Sequence, residues 1–479
     1  MPLRRHLILL LFLGGLLFFC ALGNHQLQGS TEPRVAGIAM EMQLDRDWVT
    51  PRLNGAPFLE KPPLSLWLDV AAIRLFGPTT LAVRLASAFA GLFCVLLLYT
   101  TLRRLGRPAT LALLAALMLM TLASFWANAR QVGEDALLTL GVTLTLLSFL
   151  QAWLEPPGHL RHWLAFAAGI ALSTLSKGVL GLALPGVVVF ACLLWDSLAQ
   201  RRLNVPAWLR PLLWTLPGLL PLLAWLLFLY RDGGGAALQE ILWTNSVGRF
   251  SGSFSEAGHF EPFYYYMVRL PQAFLPWNIL LYLGLWHFRK RLAKDRYLLF
   301  FCLWLAAQFA LLTLASSKRM VYLMALAPAA AVIAAEYTHL FLPAWYARAS
   351  RWARGAALAV ALLVPACYLA YAIWIEPRAD QRESFLPLTE RIRQHQMAGR
   401  QVALFQPSER LAGAGVFYSR SLLPALQTRE ELTAFLSQPG EHIALLESET
   451  VPQAPLGVLQ HFRVGERDYY FVGQQYPGD

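Results

Sequence analysis

Charge is what this chain has least of. Of its 479 residues only 14% are Asp, Glu, Lys or Arg, against about 25% in an ordinary soluble protein. A soluble chain of this length would need charge to cover two or three cores, and this one does not have it. With 57% hydrophobic residues, disordered and collagenous classes are excluded as well. Cysteine is sparse too. Cys20, Cys94, Cys192, Cys302 and Cys367 lie far apart inside apolar stretches and without ligand spacing. That excludes a disulfide scaffold and reads as small buried hydrophobes, not redox or metal sites. No internal repeat or low-complexity tract stands out. Lipid must be the solvent for most of the chain.

What is present is a series of long apolar runs. A bilayer-crossing helix needs about 20 mostly apolar residues, and that rule gives eleven candidates: 7–23, 81–99, 109–127, 136–154, 161–175, 179–197, 210–230, 270–286, 297–315, 320–341 and 355–375. The fifth is short enough to be re-entrant. The first also reads as a signal peptide, with Ala21-Leu22-Gly23 a passable cleavage site. The net charge of +11 is not gathered into a nucleic-acid face. Its Lys and Arg sit in short clusters between the runs: Arg103, Arg104 and Arg107; Arg161; Arg201, Arg202 and Arg210; Arg289 to Arg296; Arg348, Arg351 and Arg354. With Arg4 and Arg5 cytoplasmic, every alternate loop is basic, as the positive-inside rule requires. The opposite face then receives 24–80, 128–135, the turn Ser176-Lys177-Gly178, 231–269 and Ser316 to Arg319. Acids, histidines and tyrosines concentrate there. The stretch 376–479 changes composition, with strand-length runs at Val402–Phe405, Ile443–Leu446 and Tyr469–Val472 and helix-like segments around 384–397 and 429–437. It reads as a small soluble α/β domain following a membrane domain over 1–375.

The exported loops carry the chemistry. Ser30-Thr31-Glu32-Pro33-Arg34 has a hydroxyl cap and a Pro just inside a helix start. Val35, Ile38, Ala39 and Met42 then form one apolar stripe, which predicts a short helix along the membrane surface. Glu32 at its N-terminal end is either a general base favoured as carboxylate by the helix dipole or simply a capping acid. Next comes Pro57-Phe58-Leu59-Glu60-Lys61-Pro62-Pro63-Leu64, a stiff elbow that holds Glu60 and Lys61. Lys61 can neutralise a phosphate, and Glu60 can orient it or take a metal; an ion pair beside a lipid headgroup is the other reading. Glu134 and Asp135, with Arg130, read as span-flanking anchors, His259 as a loop histidine, and the run Tyr264-Tyr265-Tyr266 as an interfacial belt. Lys177, Lys318, Arg319 and Tyr322 are different. Cations on exported span ends run against the positive-inside bias and point to an anion on that face.

Taken together these residues resemble the membrane glycosyltransferases that use polyprenyl-phosphate sugars, a group that includes the lipid A aminoarabinose transferase and the protein O-mannosyltransferases. The resemblance runs from the first span to about Ala335. Its carriers, in order, are Thr31 to Arg34, Ala39 to Met42, Asp47 to Gly55, the Glu60-Lys61-Pro62-Pro63 elbow, Asp135 to Leu138, Ser176-Lys177-Gly178, His259 ahead of Pro262 to Tyr265, Phe274 to Trp277, and Ser316 to Lys318. It implies an all-α polytopic GT-C fold of about eleven or more spans, with exported surface helices and a cavity above the spans. By that similarity Arg34, Lys61, Lys318 and Tyr322 would hold the donor phosphate and Asp135 would line the cavity. Glu60 and His259 would flank a divalent metal if one is used, with no other cofactor. Where the family often shows Asp-Glu at its first exported helix, this chain has Thr31-Glu32. That leaves Glu32 as base or moves the role to Asp135.

The expected activity is transfer of a sugar, hexose or pentose, from an undecaprenyl-phosphate donor to a lipid A-like glycolipid or another envelope glycan or protein acceptor. The transfer would be inverting, on the periplasmic face of a bacterial inner membrane, with no nucleic acid involved. A transporter or lipid flippase is the alternative from another class, disfavoured because the spans are nearly free of ionisable relays, Arg84 being an edge case. A non-catalytic scaffold would leave the exported acids and lysines without a purpose. The map is tested by fusing a periplasm-dependent reporter after Glu376: an active reporter is expected, and a silent one inverts the topology.

Overall fold

The computed structural model describes residues 2–252, 260–452 and 456–474. The chain divides into two compact units. One comprises Met1–Cys20, Glu60–Leu64 and Ser87–Leu369; the other comprises Ala21–Leu59, Ser65–Ala86 and Ala370–Asp479. The change at Leu369 falls close to the compositional break at 375. The segments 21–59 and 65–86, by contrast, group with the C-terminal stretch, so the units interleave along the chain.

The first unit is mostly helical; the apolar runs read from the sequence fall largely on helix, with 109–127 broken at Thr121–Leu122, 270–286 broken at Phe274–Trp277, and 7–23 extending past the helix Pro2–Phe19. Seven helical runs among the described residues are long and apolar enough to cross a membrane, with Ala109–Met120 and Asn278–Phe288 shorter. The helix Arg351–Ala370 has no buried residue although almost all of it is apolar, which suits a helix whose outer solvent is lipid. One feature of the backbone organises the rest. The run Leu160–Gln200 is broken at Lys177 (φ −146°) and Gly178 (φ 52°, ψ −128°). Only glycine adopts the second conformation without strain. The two arms fold back on each other, because a Cβ at Gly181 would lie 2.0 Å from the carbonyl oxygen of Ser173, eight residues earlier. In a straight helix those residues are about 12 Å apart. The fifth and sixth runs are therefore the arms of a helical hairpin, and Ser176-Lys177-Gly178 is its tip.

The first arm packs on the helix Asp135–Leu154 through small residues. A Cβ at Gly141 would meet the Ser173 backbone at 2.5 Å, and one at Gly169 would meet the Thr145 hydroxyl at 2.4 Å. The hydroxyls return to their own helices, Thr145 Oγ1 to the Gly141 carbonyl and Ser173 Oγ to that of Ile170. Within lipid, where apolar burial does little to join helices, close backbone approach of this kind supplies the attraction. Arg130 is a cap, not an anchor at a span end. Buried, it donates to the carbonyls of Leu17, Phe18 and Cys20 at the end of the helix Pro2–Phe19, where the helix dipole favours a cation. The expected loop 231–269 is largely helical over its described part: Val205–Leu238 continues past a break at Gly234 into a π-helical stretch, Gln239–Gly248.

In the second unit a five-stranded sheet runs in the order Ala425–Leu426, Gln401–Phe405, His442–Glu447, Arg467–Gln474, Leu456–Val464. The first three strands are parallel and the last two antiparallel to their neighbours. Alternation sorts the two faces. Val402, Leu404, Ile443, Leu445, Tyr469 and Phe471 join Phe385, Leu388, Ile392 and Leu411 from the helices on one side. Ala444, Leu446, Tyr470 and Val472 meet Leu432 and Leu436 on the other. The helix Glu409–Ser419 and the strand Leu456–Val464 were not read from the sequence. The helix Thr31–Asp45 forms where its cap predicts, but its apolar stripe is covered by protein, with Val35, Ile38, Ala39 and Met42 all buried. A Cβ at Gly37 would lie 2.4 Å from the Cα of Gly413, so this helix and Glu409–Ser419 meet backbone to backbone. The Glu41 carboxylate accepts from Asn54 N and Gly55 N, holding the Asn-Gly turn that joins Arg52–Leu53 to Ala56–Pro57. Burial raises that carboxyl's pKa, against the pull of the two backbone donors.

Gly181→Val should destabilise the detergent-solubilised protein by about 1–3 kcal/mol through overpacking, read as a lower Tm. Gly186→Ala, whose Cβ meets nothing within 4 Å, should leave Tm unchanged.

Candidate active site

The first unit encloses a cavity of about 290 Å3. Its apolar wall comes from the second hairpin arm (Val179, Leu180, Ala183), from Leu222, Trp225 and Leu226, and from Leu311 and Leu312. Its polar lining is supplied by Glu60 and Lys61 on the elbow, Lys177 at the hairpin tip, Tyr322, Ser317, Asn245 and Ser246. Such a shape suits a long apolar ligand with a charged head. The elbow lies against the tip, Pro62 being 3.6 Å from where a Cβ on Gly178 would stand. Lys61 Nζ is 3.8 Å from Glu60 Oε1.

Lys177 is the most heavily committed cation here. Its ammonium is 3.1 Å from Glu134 Oε1, pairs also with Asp135 Oδ1, and stands 4.6 Å over the Tyr322 ring. Its side chain is 3% exposed. A buried ammonium needs anions of this kind, and the two acids at the start of the helix Asp135–Leu154 supply them. Burial by itself would raise the Glu134 carboxyl; the charges of Lys177 and Lys61 outweigh it and hold the group well below the usual carboxylate range. Asp135 is not in the cavity wall and reaches it through Lys177. Lys318 is buried beside the cavity, not in its wall, donating to the carbonyls of Glu261 and Ala315. Carbonyls satisfy its donors without neutralising its charge.

In the second unit Glu32 and Arg84 form a buried pair. Arg84 Nε donates to Glu32 Oε1 at 2.9 Å and Nη2 to Oε2 at 2.7 Å. The remaining guanidinium hydrogens go to the carbonyls of Leu22, His25 and Gln26, which accounts for all five donors. Glu32 also accepts from Gln28 N. The expectation of Glu32 as base thus meets a carboxylate whose two oxygens are held by a permanent cation, a poor proton acceptor. Arg84, which lies within the candidate span 81–99, is explained by the same pair. Arg34 binds Glu409 at 2.7 Å and lies over the Phe58 ring.

The family model of dolichyl-phosphate-mannose-protein mannosyltransferases matches residues 30–231. An undecaprenyl phosphate-alpha-4-amino-4-deoxy-L-arabinose arabinosyl transferase of Pseudomonas aeruginosa (strain UCBPP-PA14) is 31% identical over 329 residues, 67% of this chain and 57% of that protein. An uncharacterized protein of Aquifex aeolicus is 30% identical over 67% of this chain and 62% of its own length. ArnT from Cupriavidus metallidurans, solved bound to undecaprenyl phosphate, shares the fold with a TM-score of 0.72 at 20% identity, covering 97% of both chains. The archaeal oligosaccharyltransferase AglB of Archaeoglobus fulgidus aligns with a TM-score of 0.56 at 14% identity, over 93% of this chain and 69% of its own. The chain belongs to the GT-C membrane glycosyltransferases. It is a multi-pass membrane protein and spans 57% of the length of the arabinosyl transferase it matches.

Within this GT-C frame the structure brings Glu60, Lys61 and Tyr322 to one cavity and attaches Asp135 to it through Lys177. Glu32 and Arg34 belong to the other unit, and His259 lies outside the described residues. For a divalent metal the fit is poor. Glu60 offers one carboxylate, Glu134 and Asp135 are engaged by Lys177, and no trio of His, Cys, Asp or Glu converges among the described residues. Asn245 was visible only as a polar residue of the loop 231–269, and Ser317 only as part of Ser316-Ser317-Lys318. Sequence reasoning missed Ser246, which carries no motif of its own. It also took Glu134 for an anchor, although two adjacent acids at a span start are a signal for a buried cation elsewhere.

Arg84→Met leaves Glu32 buried without its counter-ion and should cost about 3–5 kcal/mol, lowering Tm sharply. The double variant Glu32→Gln, Arg84→Met should recover part of that loss. A double variant as unstable as Arg84→Met alone would mean that the pair is not what holds this region.

Proposed function

We propose that the protein transfers a sugar from a polyprenyl-phosphate donor, undecaprenyl phosphate in kind, to a lipid A-like glycolipid or another envelope acceptor. The transfer takes place on the periplasmic face of a bacterial inner membrane, and the spans number about eleven once the two hairpin arms are counted separately. The observation that carries the reading is the cavity: it joins a mostly apolar wall, suited to an isoprenoid tail, with the Lys61 ammonium and the Tyr322 ring. The relatives support it, since the Pseudomonas protein is an undecaprenyl-phosphate-aminoarabinose transferase and the Cupriavidus structure holds undecaprenyl phosphate.

In this reading the acceptor hydroxyl loses its proton to a carboxylate as its oxygen attacks the anomeric carbon. The bond from that carbon to the phosphate oxygen breaks, and the electron pair leaves with the polyprenyl phosphate. A single displacement inverts the centre. The leaving phosphate gains negative charge, which Lys61 neutralises inside a site of low dielectric. Lys318, whose bonds run to neutral carbonyls, adds to the positive field in this proposal. Tyr322 offers a hydroxyl to the phosphate. Of the two acids expected as base, Asp135 is the better one, because Glu32 is locked by Arg84.

Lys61→Ala should lower transfer by about 10²–10³-fold with the protein still inserted, and Asp135→Asn should lose transfer similarly. Both are read by mass spectrometry of envelope glycolipids for the hexose or pentose increment. Full activity in both variants would sink the site assignment.

A further inference from the structure

We propose that Lys177 is a positioning residue: as counter-ion to Glu134 and Asp135, it keeps those carboxylates from capturing Lys61 and so leaves the Lys61 charge to the donor phosphate. This rests on the polyprenyl-phosphate reading of the cavity and deepens it. Lys61 and Lys177 line the same cavity, yet they are built differently. Lys177 stands at the break of the hairpin, its backbone fixed by the Gly178 turn, and its ammonium is bound by two carboxylates and one ring. An incoming phosphate that took this lysine would strand both acids in a buried site. Lys61 sits on an elbow between Pro57 and Pro62, and its ammonium is 3.8 Å from Glu60.

The coupling between the lysines runs through Glu134. Lys177 stands 3.1 Å from that carboxylate, and Lys61 is next to Pro62, which lies 3.6 Å from where a Cβ on Gly178 would stand at the hairpin tip. Two adjacent buried carboxylates require a cation. With Lys177 removed, Lys61 is the other lysine lining this cavity, and its four-carbon stem gives it the freedom to swing to Glu134. The result is a partition of cations: Lys177 for Glu134 and Asp135, Lys61 with Glu60 beside it for the ligand. A merely structural Lys177 would make no such link, since its loss would then weaken the fold without touching phosphate affinity through Glu134.

The test uses the full chain in nanodiscs, with undecaprenyl phosphate as the titrated probe. Lys177→Met should weaken binding tenfold or more, and Lys177→Arg should retain it. Glu134→Gln should bind within about threefold of the unchanged protein, because removing the competing acid removes the need for the guard. The double variant Lys177→Met, Glu134→Gln should regain at least half of the loss on a logarithmic scale. Where Lys177→Met does not fold, Glu134→Gln and the double variant decide. Unchanged binding in Lys177→Met, no gain in the double variant, or a Glu134→Gln variant as weak as Lys61→Ala overturns the inference. Loss in Lys61→Ala without loss in Lys177→Met overturns it alone, whereas unchanged binding in Lys61→Ala overturns the donor reading and this inference together.

Discussion

A charge taken out of water must bring its opposite with it, and in this chain that constraint decides where the functional side chains stand. Lys177 is held at the tip of a helical hairpin by Glu134, Asp135 and the Tyr322 ring. Arg84 is held in the other unit by both oxygens of Glu32 and three backbone carbonyls. With so few charged residues available, these two buried pairs stand out, each tying together segments distant in the chain. Burial of this kind adds little net stability, but breaking a pair is costly, so it specifies one arrangement.

The same constraint sorts acids into roles. An acid with both oxygens on an arginine has a structural task. An acid bound by a lysine that lines a cavity has a chemical one in the proposed reaction. Glu32 and Asp135 looked alike as candidates and differ in this respect. The cations divide similarly. Arg130 closes a helix by binding three carbonyls, Lys177 serves the protein's own carboxylates, and Lys61 faces the cavity that an isoprenoid phosphate would fill in the proposed reaction.

Much of the architecture was legible because its causes are local. Apolar runs of span length became helices, since a backbone in lipid must satisfy its own hydrogen bonds. Ser30 to Arg34 marked a helix start, Asn54-Gly55 sits at a two-residue turn, and three of the sheet's strands were visible as short apolar runs. The Glu60-Lys61-Pro62-Pro63 elbow and the Ser176-Lys177-Gly178 turn could be found because proline and glycine leave their mark at the residue itself. The family resemblance rested on those same punctuated segments.

Other features had no local mark. Gly181 against Ser173, Gly37 against Gly413 and Gly141 against Ser173 are ordinary glycines until two backbones approach. The stripe of Val35, Ile38, Ala39 and Met42 told that one face would be covered, but not by what. Glu32 and Arg84 are separated by 52 positions, Asp135 and Lys177 by 42. The sequence by itself determined the lipid-solvated class, the helical runs, the punctuation and the set of charged side chains that could act. Only the tertiary structure decided which charge meets which, because an ion pair reaches about 3 Å in space and leaves no period in the chain.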